Sequence, residues 1–162
     1  MNEPGTLQYH LDPVAFARDI LDFDADGPQS KVLQDPSGRI ILCCTRQCGK
    51  STTAAALAVH HMLFHPKPAL VLVSSPVLRQ SAELVRKARE FFHRAGIRTR
   101  GDAPHTCSLI LPSGARMIGL PGGNSNIRSF SGVTLLLIDE AAHVKDNTYY
   151  TVRPMLAVSR AA

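Results

Sequence analysis

No apolar run in the 162-residue chain approaches the ~18–20 residues that a membrane-spanning helix needs. The opening MNEPGTLQYHLD has neither a basic leader nor an apolar core, so no secretory signal is read there, and a soluble cytoplasmic protein is expected. Cysteine is sparse: Cys43, Cys44, Cys48 and Cys107. Three of them crowd into six positions, too close for a disulfide framework, and no second pair completes a tetrahedral zinc site. His61 and His65 stand four apart on a predicted helix and are read as solvated helix-end side chains rather than metal ligands. Charge of neither sign dominates: 18 Lys+Arg against 13 Asp+Glu give +5, which permits a polyanionic partner without requiring one. Internal repeats and low-complexity tracts are absent too, which leaves an ordinary globular domain or a piece of a larger protein.

What is present is enough for a core. Hydrophobic residues make up 44% of the chain, and a chain of about 150 residues hides roughly 68–70% of its unfolded surface. Asp12 as N-cap, Pro13 at the first helical position and Phe16, Ile20 and Phe23 at helical spacing predict a first helix. A short helix is predicted over Pro28–Gln34, before the breaker Asp35-Pro36-Ser37-Gly38. Arg39–Cys44 is a continuous apolar run with β-branched residues, which predicts a strand covered on both faces. A loop and an alanine-rich helix over Lys50–Phe64 follow, closed by Pro66 and Pro68. Ala69–Ser74 predicts a second buried strand. Val77–Ala95 predicts a helix with Leu78, Ala82, Val85, Ala88, Phe92 and Ala95 on its inner face. Ser108–Leu111 and Arg116–Gly119 flank Pro112-Ser113-Gly114 as a hairpin. Val133–Ile138 predicts a third buried strand, and loop and short helix follow it. Alternation of strand and helix implies a parallel α/β sheet with crossover helices.

Two motifs carry chemistry. Cys44-Thr45-Arg46-Gln47-Cys48-Gly49-Lys50-Ser51 fits the phosphate-binding template G-x-x-x-x-G-K-[S/T] except at its first position, where Cys44 replaces glycine. Between a strand and a helix, such a loop offers backbone N–H groups and a positive helix end to polyphosphate. Gly49 permits the tight turn, Lys50 brings a charge to the β/γ-phosphates, and Ser51 offers a hydroxyl to Mg²⁺. The second motif is Leu135-Leu136-Leu137-Ile138-Asp139-Glu140. It releases two carboxylates at the strand end where ligands of α/β sheets bind. Asp139 suits the Mg²⁺ shell, and Glu140 suits the activation of an attacking water.

TRQCGKST, followed by IRSFSG and LLLIDEAAHV, resembles the ATPase domain of the large terminase subunit of tailed bacteriophages, over about Gly27–Ser159. The resemblance implies a P-loop NTPase fold of the RecA-like, additional-strand catalytic-glutamate class: a parallel sheet flanked by helices, with an inserted hairpin. It divides the chain into a helical lead-in over 1–26 and a partial ATPase domain over 27–162, with no nuclease domain. It implies ATP and Mg²⁺ as cofactors, with Thr45, Arg46, Gln47, Cys48, Gly49, Lys50, Ser51 and Thr52 around the nucleotide. Ser51 and Asp139 would serve the metal. Glu140, Lys50, Arg46 and Arg128 would be catalytic, the two arginines as γ-phosphate sensor or finger. Gln29 would read the adenine. Implied partners are double-stranded DNA without sequence preference, the other terminase subunits and portal protein, and further copies in a ring. In this class a coupling strand lies between the two motif-bearing strands. Its absence up to Ala162 suggests a truncated or prophage-derived fragment. A helicase-like ATPase and an inactive nucleotide-binding fragment are the rival readings. The stripe Arg79, Arg86 and Arg94 is interleaved with Glu83 and Glu90 and reads as a salt-bridged face, whereas Arg94, Arg98 and Arg100 form the better candidate for phosphate-backbone contact.

Overall fold

A computed structural model describes residues 7–45, 47–101, 107–121 and 130–156. Two helices come first, α1 (Leu7–Leu11) and α2 (Pro13–Leu21). Asp12 separates them as the expected N-cap, its Oδ1 accepting from the N–H groups of Val14 and Ala15 at 3.1 and 3.0 Å, a device worth about 1 kcal/mol. The chain continues through α3 (Gly27–Leu33), α4 (Lys50–Phe64), β1 (Leu70–Ser75), α5 (Leu78–Arg94), β2 (Ser108–Ile110), β3 (Arg116–Pro121), β4 (Leu135–Ile138) and α6 (Asp146–Val152).

The four strands form one sheet in the order β2-β3-β1-β4. β1 runs parallel to both neighbours, with Val71 opposite Met117 on β3 and Leu135 on β4. The hairpin expectation holds: β2 and β3 are antiparallel, with Leu109 opposite Met117. Because β3 also pairs with β1, the hairpin is part of the main sheet. Strand alternation divides the core. Val71, Val73, Met117, Leu135 and Leu137 face a cluster shared with α2, α4 and α5. Leu72, Ile118 and Leu136 face the opposite side, where Val133, Phe130, Met155 and Leu156 lie over them. Helix α5 buries Leu84, Val85, Ala88, Phe91 and Phe92, but Leu78 is exposed. The predicted face holds at Val85, Ala88 and Phe92, with Leu84 and Phe91 buried beside it and Ala82 and Ala95 half-buried.

The predicted strand over Arg39–Cys44 is not formed. These residues belong to no strand, Ile41 is 94% exposed, and Cys43 and Cys44 are exposed. Likewise, β4 is half-buried along its length rather than buried. β4 is the outermost strand of this order, and among the described residues no strand pairs with its outer edge or with Arg39–Cys44. Among the described residues the run has no strand partner, and its apolar pattern alone does not bury it.

His61 departs from the solvated helix-end reading. Its Nε2 lies 2.9 Å from Thr134 Oγ1, which also accepts from the Leu70 N–H. Burial, aided by like charge from His65 and His60, lowers its pKa from 6.5 to about 4. Between those values the folded chain binds fewer protons than the unfolded one. This contribution is therefore complete above about pH 6.5 and is lost as pH falls towards 4. Urea denaturation at about pH 7 and about pH 4.5 checks this: His61→Gln should remove on the order of 2–3 kcal/mol of the acid-side decline. An unchanged pH dependence would show that His61 titrates normally in the fold.

A close approach fixes α5 on the sheet. Ser81 Oγ donates to the Leu120 carbonyl at 2.8 Å and also meets Ser75 Oγ. Directly below, a Cβ on Gly119 would stand 2.6 Å from Cys107 Sγ and 3.0 Å from Ser81 Cβ. Gly119→Ala should therefore cost about 1–3 kcal/mol by overpacking. Denaturant titration reads this directly, and a variant as stable as the parent would show that the helix can lift freely.

Candidate functional site

Thr134 lies at the entry to β4 and is bonded to His61 in the last turns of α4. Helix α4 packs along both β1 and β4. From His61 back to Lys50 the helix rises about 16 Å. From Thr134 forward to Asp139 the strand advances about 17 Å. Helix and strand therefore run antiparallel over matched lengths, and Lys50 and Asp139 come to the same end of the sheet.

At that end the loop before α4 is tightly turned. Gln47 and Gly49 both have left-handed backbone, with φ of 67° and 76°. Glycine adopts this readily, but Gln47 does so at a cost, as backbone at functional sites often does. Lys50 is the first residue of α4, and its ammonium folds back into the loop. It donates to the carbonyls of Thr45 at 2.7 Å and Cys44 at 3.1 Å. Cys48 Sγ lies 3.7 Å from the same nitrogen and 2.8 Å from Cys44 Sγ. Ser51 is half-buried in the first helical turn. Thr53 Oγ1 donates to the Gly49 carbonyl at 3.1 Å and secures the start of the helix.

Gln29 is tied in on both sides. Its backbone N–H and side-chain oxygen form a capping box with Asp26, at 2.9 and 3.0 Å. Its Nε2 donates to the Cys48 carbonyl at 3.2 Å. A Cβ on Gly49 would meet that Nε2 at 2.6 Å. Gln29 thus braces α3 against the loop, and both ends of its amide are engaged within the chain. Each end keeps one further hydrogen-bonding position, the second Nε2 hydrogen and the second Oε1 lone pair.

Asp139 follows β4, its N–H donating to the Ser74 carbonyl at 2.9 Å. Its Oδ1 accepts from the Glu140 N–H at 3.0 Å. Glu140 is exposed and left-handed, with φ 51° and ψ 44°. This is a second non-glycine residue in a strained backbone conformation at the same end of the sheet. Arg46 and Arg128 lie outside the described residues.

Some contributors were not read from the sequence. Lys87, on α5, donates to Thr52 Oγ1 at 3.2 Å. Its signal was the spacing from Leu84 and Phe91, which puts Lys87 on the inner edge of α5 facing α4. Beside this bond a cleft of about 220 Å³ opens between Phe23, Phe91, Lys87 and Arg94. Arg94 donates to the carbonyls of Leu21 and Asp22 at 3.1 and 3.3 Å and sits 5.6 Å from the Phe91 ring centroid. It therefore caps the C-terminal end of α2 while its side chain remains exposed. Arg86 bridges Glu83 at 2.6 Å and also pairs with Glu90, as the interleaved charges implied.

Comparison with known proteins fits this geometry. The family described as terminase large subunit, T4likevirus-type, N-terminal, matches residues 41–153. Among solved structures, the large terminase ATPase domain of Thermus phage P74-26 superposes with a TM-score of 0.78 at 16% identity, covering 90% of this chain and 64% of that one. An arginine-to-alanine mutant of the same domain gives 0.77 at 18% identity, covering 90% and 65%. The chain thus spans slightly under two thirds of the length of these structures. No curated protein sequence matches it. The fold is that of a terminase ATPase domain, mixed α/β with a partial P-loop sheet, and among the described residues no helix is long and apolar enough to cross a membrane. With the family pattern spanning both the Gly49-Lys50-Ser51 loop and the Asp139-Glu140 strand end, the chain belongs to the large terminase subunit N-terminal family.

Proposed function

We propose that this chain is the ATP-hydrolysing module of a phage large terminase, part of a motor that drives double-stranded DNA into a capsid without reading its sequence. The observation that supports this best is the antiparallel lay of α4 on β4, because it brings Lys50 and the Asp139-Glu140 pair to one end of the sheet. Residues 45–52 surround the polyphosphate with backbone N–H groups and the positive end of α4. Lys50 exchanges its two carbonyl partners for β/γ-phosphate oxygens. The Ser51 hydroxyl and Asp139 carboxylate are hard oxygen donors of the kind Mg²⁺ selects, and these residues would hold it. When bound, the ion neutralises charge on the β- and γ-phosphates. Glu140 positions a water and takes its proton. Arg46 and Arg128 stabilise charge on the γ-phosphate, the latter from a neighbouring copy in a ring. Other terminase subunits and a portal protein are the further partners of such a motor, working in the host cytoplasm.

One observation favours a second reading, that of a nucleotide-binding fragment without turnover. Among the described residues Arg39–Cys44 pairs with no strand, Ile41 is exposed, and the Lys50 ammonium is bonded to carbonyls of its own loop. Polypeptide filling the gap beside β4 would bury Ile41 and hold the loop open.

Equilibrium binding of a fluorescent ATP analogue, together with phosphate release in Mg²⁺, separates the readings. On the motor reading, Lys50→Ala weakens both binding and turnover. Glu140→Ala keeps binding and loses turnover by about 10²–10⁴, the range of a general base. Equal turnover in the parent and Glu140→Ala would remove Glu140 from its role. Binding without turnover in the parent supports the second reading.

A further inference from the structure

The loop before α4 carries thiols at two places that meet in the fold. Cys44 stands at its first position and Cys48 directly before Gly49. Their Sγ atoms are 2.8 Å apart, yet both are free thiols, Cys44 exposed and Cys48 half-buried. The Lys50 ammonium is 3.7 Å from Cys48 Sγ and donates to the Cys44 carbonyl at 3.1 Å. The contact with Cys44, the Lys50 N–H and the Lys50 charge hold the Cys48 thiol below its ordinary range, whereas Cys44 is pushed up. Cys48 is thus the attacking sulfur and Cys44 the resolving one.

We propose that Cys44 and Cys48 form a reversible disulfide across this loop, closing it to nucleotide. The consequence rests on the phosphate-binding reading given above. The bond requires about 2.03–2.05 Å between the sulfurs, so the pair need close by less than about 1 Å. The oxidant is a hydroperoxide. The Cys48 thiolate attacks its O–O bond, forming a sulfenic acid and releasing hydroxide, or, where the peroxide is organic, an alkoxide that takes a proton from water to become the alcohol. The Cys44 thiol then attacks the sulfenic sulfur, the S–S bond forms and water leaves. Two thiols are oxidised by two electrons and one peroxide is reduced. A dithiol reverses the step by exchange. The cross-link ties the start of the loop to its last turn. It holds the Cys44 and Thr45 carbonyls on the Lys50 ammonium, so the amine stays retracted and the N–H groups cannot spread around a polyphosphate.

Trypsin supplies a direct readout, because cleavage after Arg39, Arg46 and Lys50 leaves Cys44 and Cys48 on separate peptides. The chain is treated with hydrogen peroxide, digested without reductant and mapped by mass. Binding of a fluorescent ATP analogue is measured before oxidation, after it, and after dithiothreitol. The expected result is a linked pair of these peptides lacking two hydrogens, binding weakened roughly tenfold or more, and recovery on reduction. Cys43→Ser should behave as the parent, which assigns the link to Cys44, and Cys44→Ser should show no peroxide-dependent loss. A link through Cys43 or Cys107, no link at all, or a Cys44–Cys48 link with unchanged binding would each overturn the proposal. Failure of the reduced chain to bind the analogue would sink the nucleotide reading, and the switch with it, while the peptide map still reports the sulfur pairing separately.

Discussion

β1 is hydrogen-bonded on both edges by parallel neighbours, and its pairing with β4 constrains everything at the candidate site. Parallel pairing requires a crossover, so the carboxylate-bearing end of β4 must lie beside the end of β1. Helix α4 enters β1 by a short turn and must run back along the sheet. The bond between His61 and Thr134 fixes that return against β4 itself. Thr134 is central here: its N–H and hydroxyl both donate to the Leu70 carbonyl, and its hydroxyl oxygen accepts from the Leu70 N–H. A sheet register and a helix position are thus held by one side chain, far from the end of the sheet where Lys50 and Asp139 sit.

Local signals in the sequence were strong wherever the partner is near in the chain. The Asp12 cap, the α4 and α5 spans and the hairpin were all legible, because caps, helical spacing and turn residues act over a few positions. The Arg39–Cys44 strand was not. Its apolar run is a genuine strand pattern, but a strand exists only through a neighbour, and sequence pattern does not say whether that neighbour is present. The same limit hid the environment of His61, which depends on a contact 73 residues away in the chain. It also hid Arg94, whose exposed guanidinium reaches back to the end of α2. At the site, residue identities were legible as motifs, whereas the bracing of the loop by Gln29 was not. That contact needs α3 and the loop to be side by side.

The exposed edge is therefore informative. Ile41 and Leu42 are exposed apolar residues directly before the loop, and β4 is half-buried with no partner on its outer edge among the described residues. Edges of this kind are normally blunted by charge, proline or a covering element, and neither Leu135–Ile138 nor Ile40–Cys44 contains charge or proline. Burying two such side chains would contribute about 1.5–3 kcal/mol each.

The posture of Lys50 follows from its own loop. A charged donor gains about 1.5–3 kcal/mol per bond when shielded from water and less at an exposed position such as this, and the Thr45 and Cys44 carbonyls both reach the ammonium. Were Arg39–Cys44 hydrogen-bonded as a strand, the direction of the carbonyls at its end would be set by the sheet. The ammonium would then lose partners at the base of the loop and turn outward. An anion that draws Lys50 out competes against those two carbonyl bonds, and a paired strand at 39–44 would weaken the competition in advance.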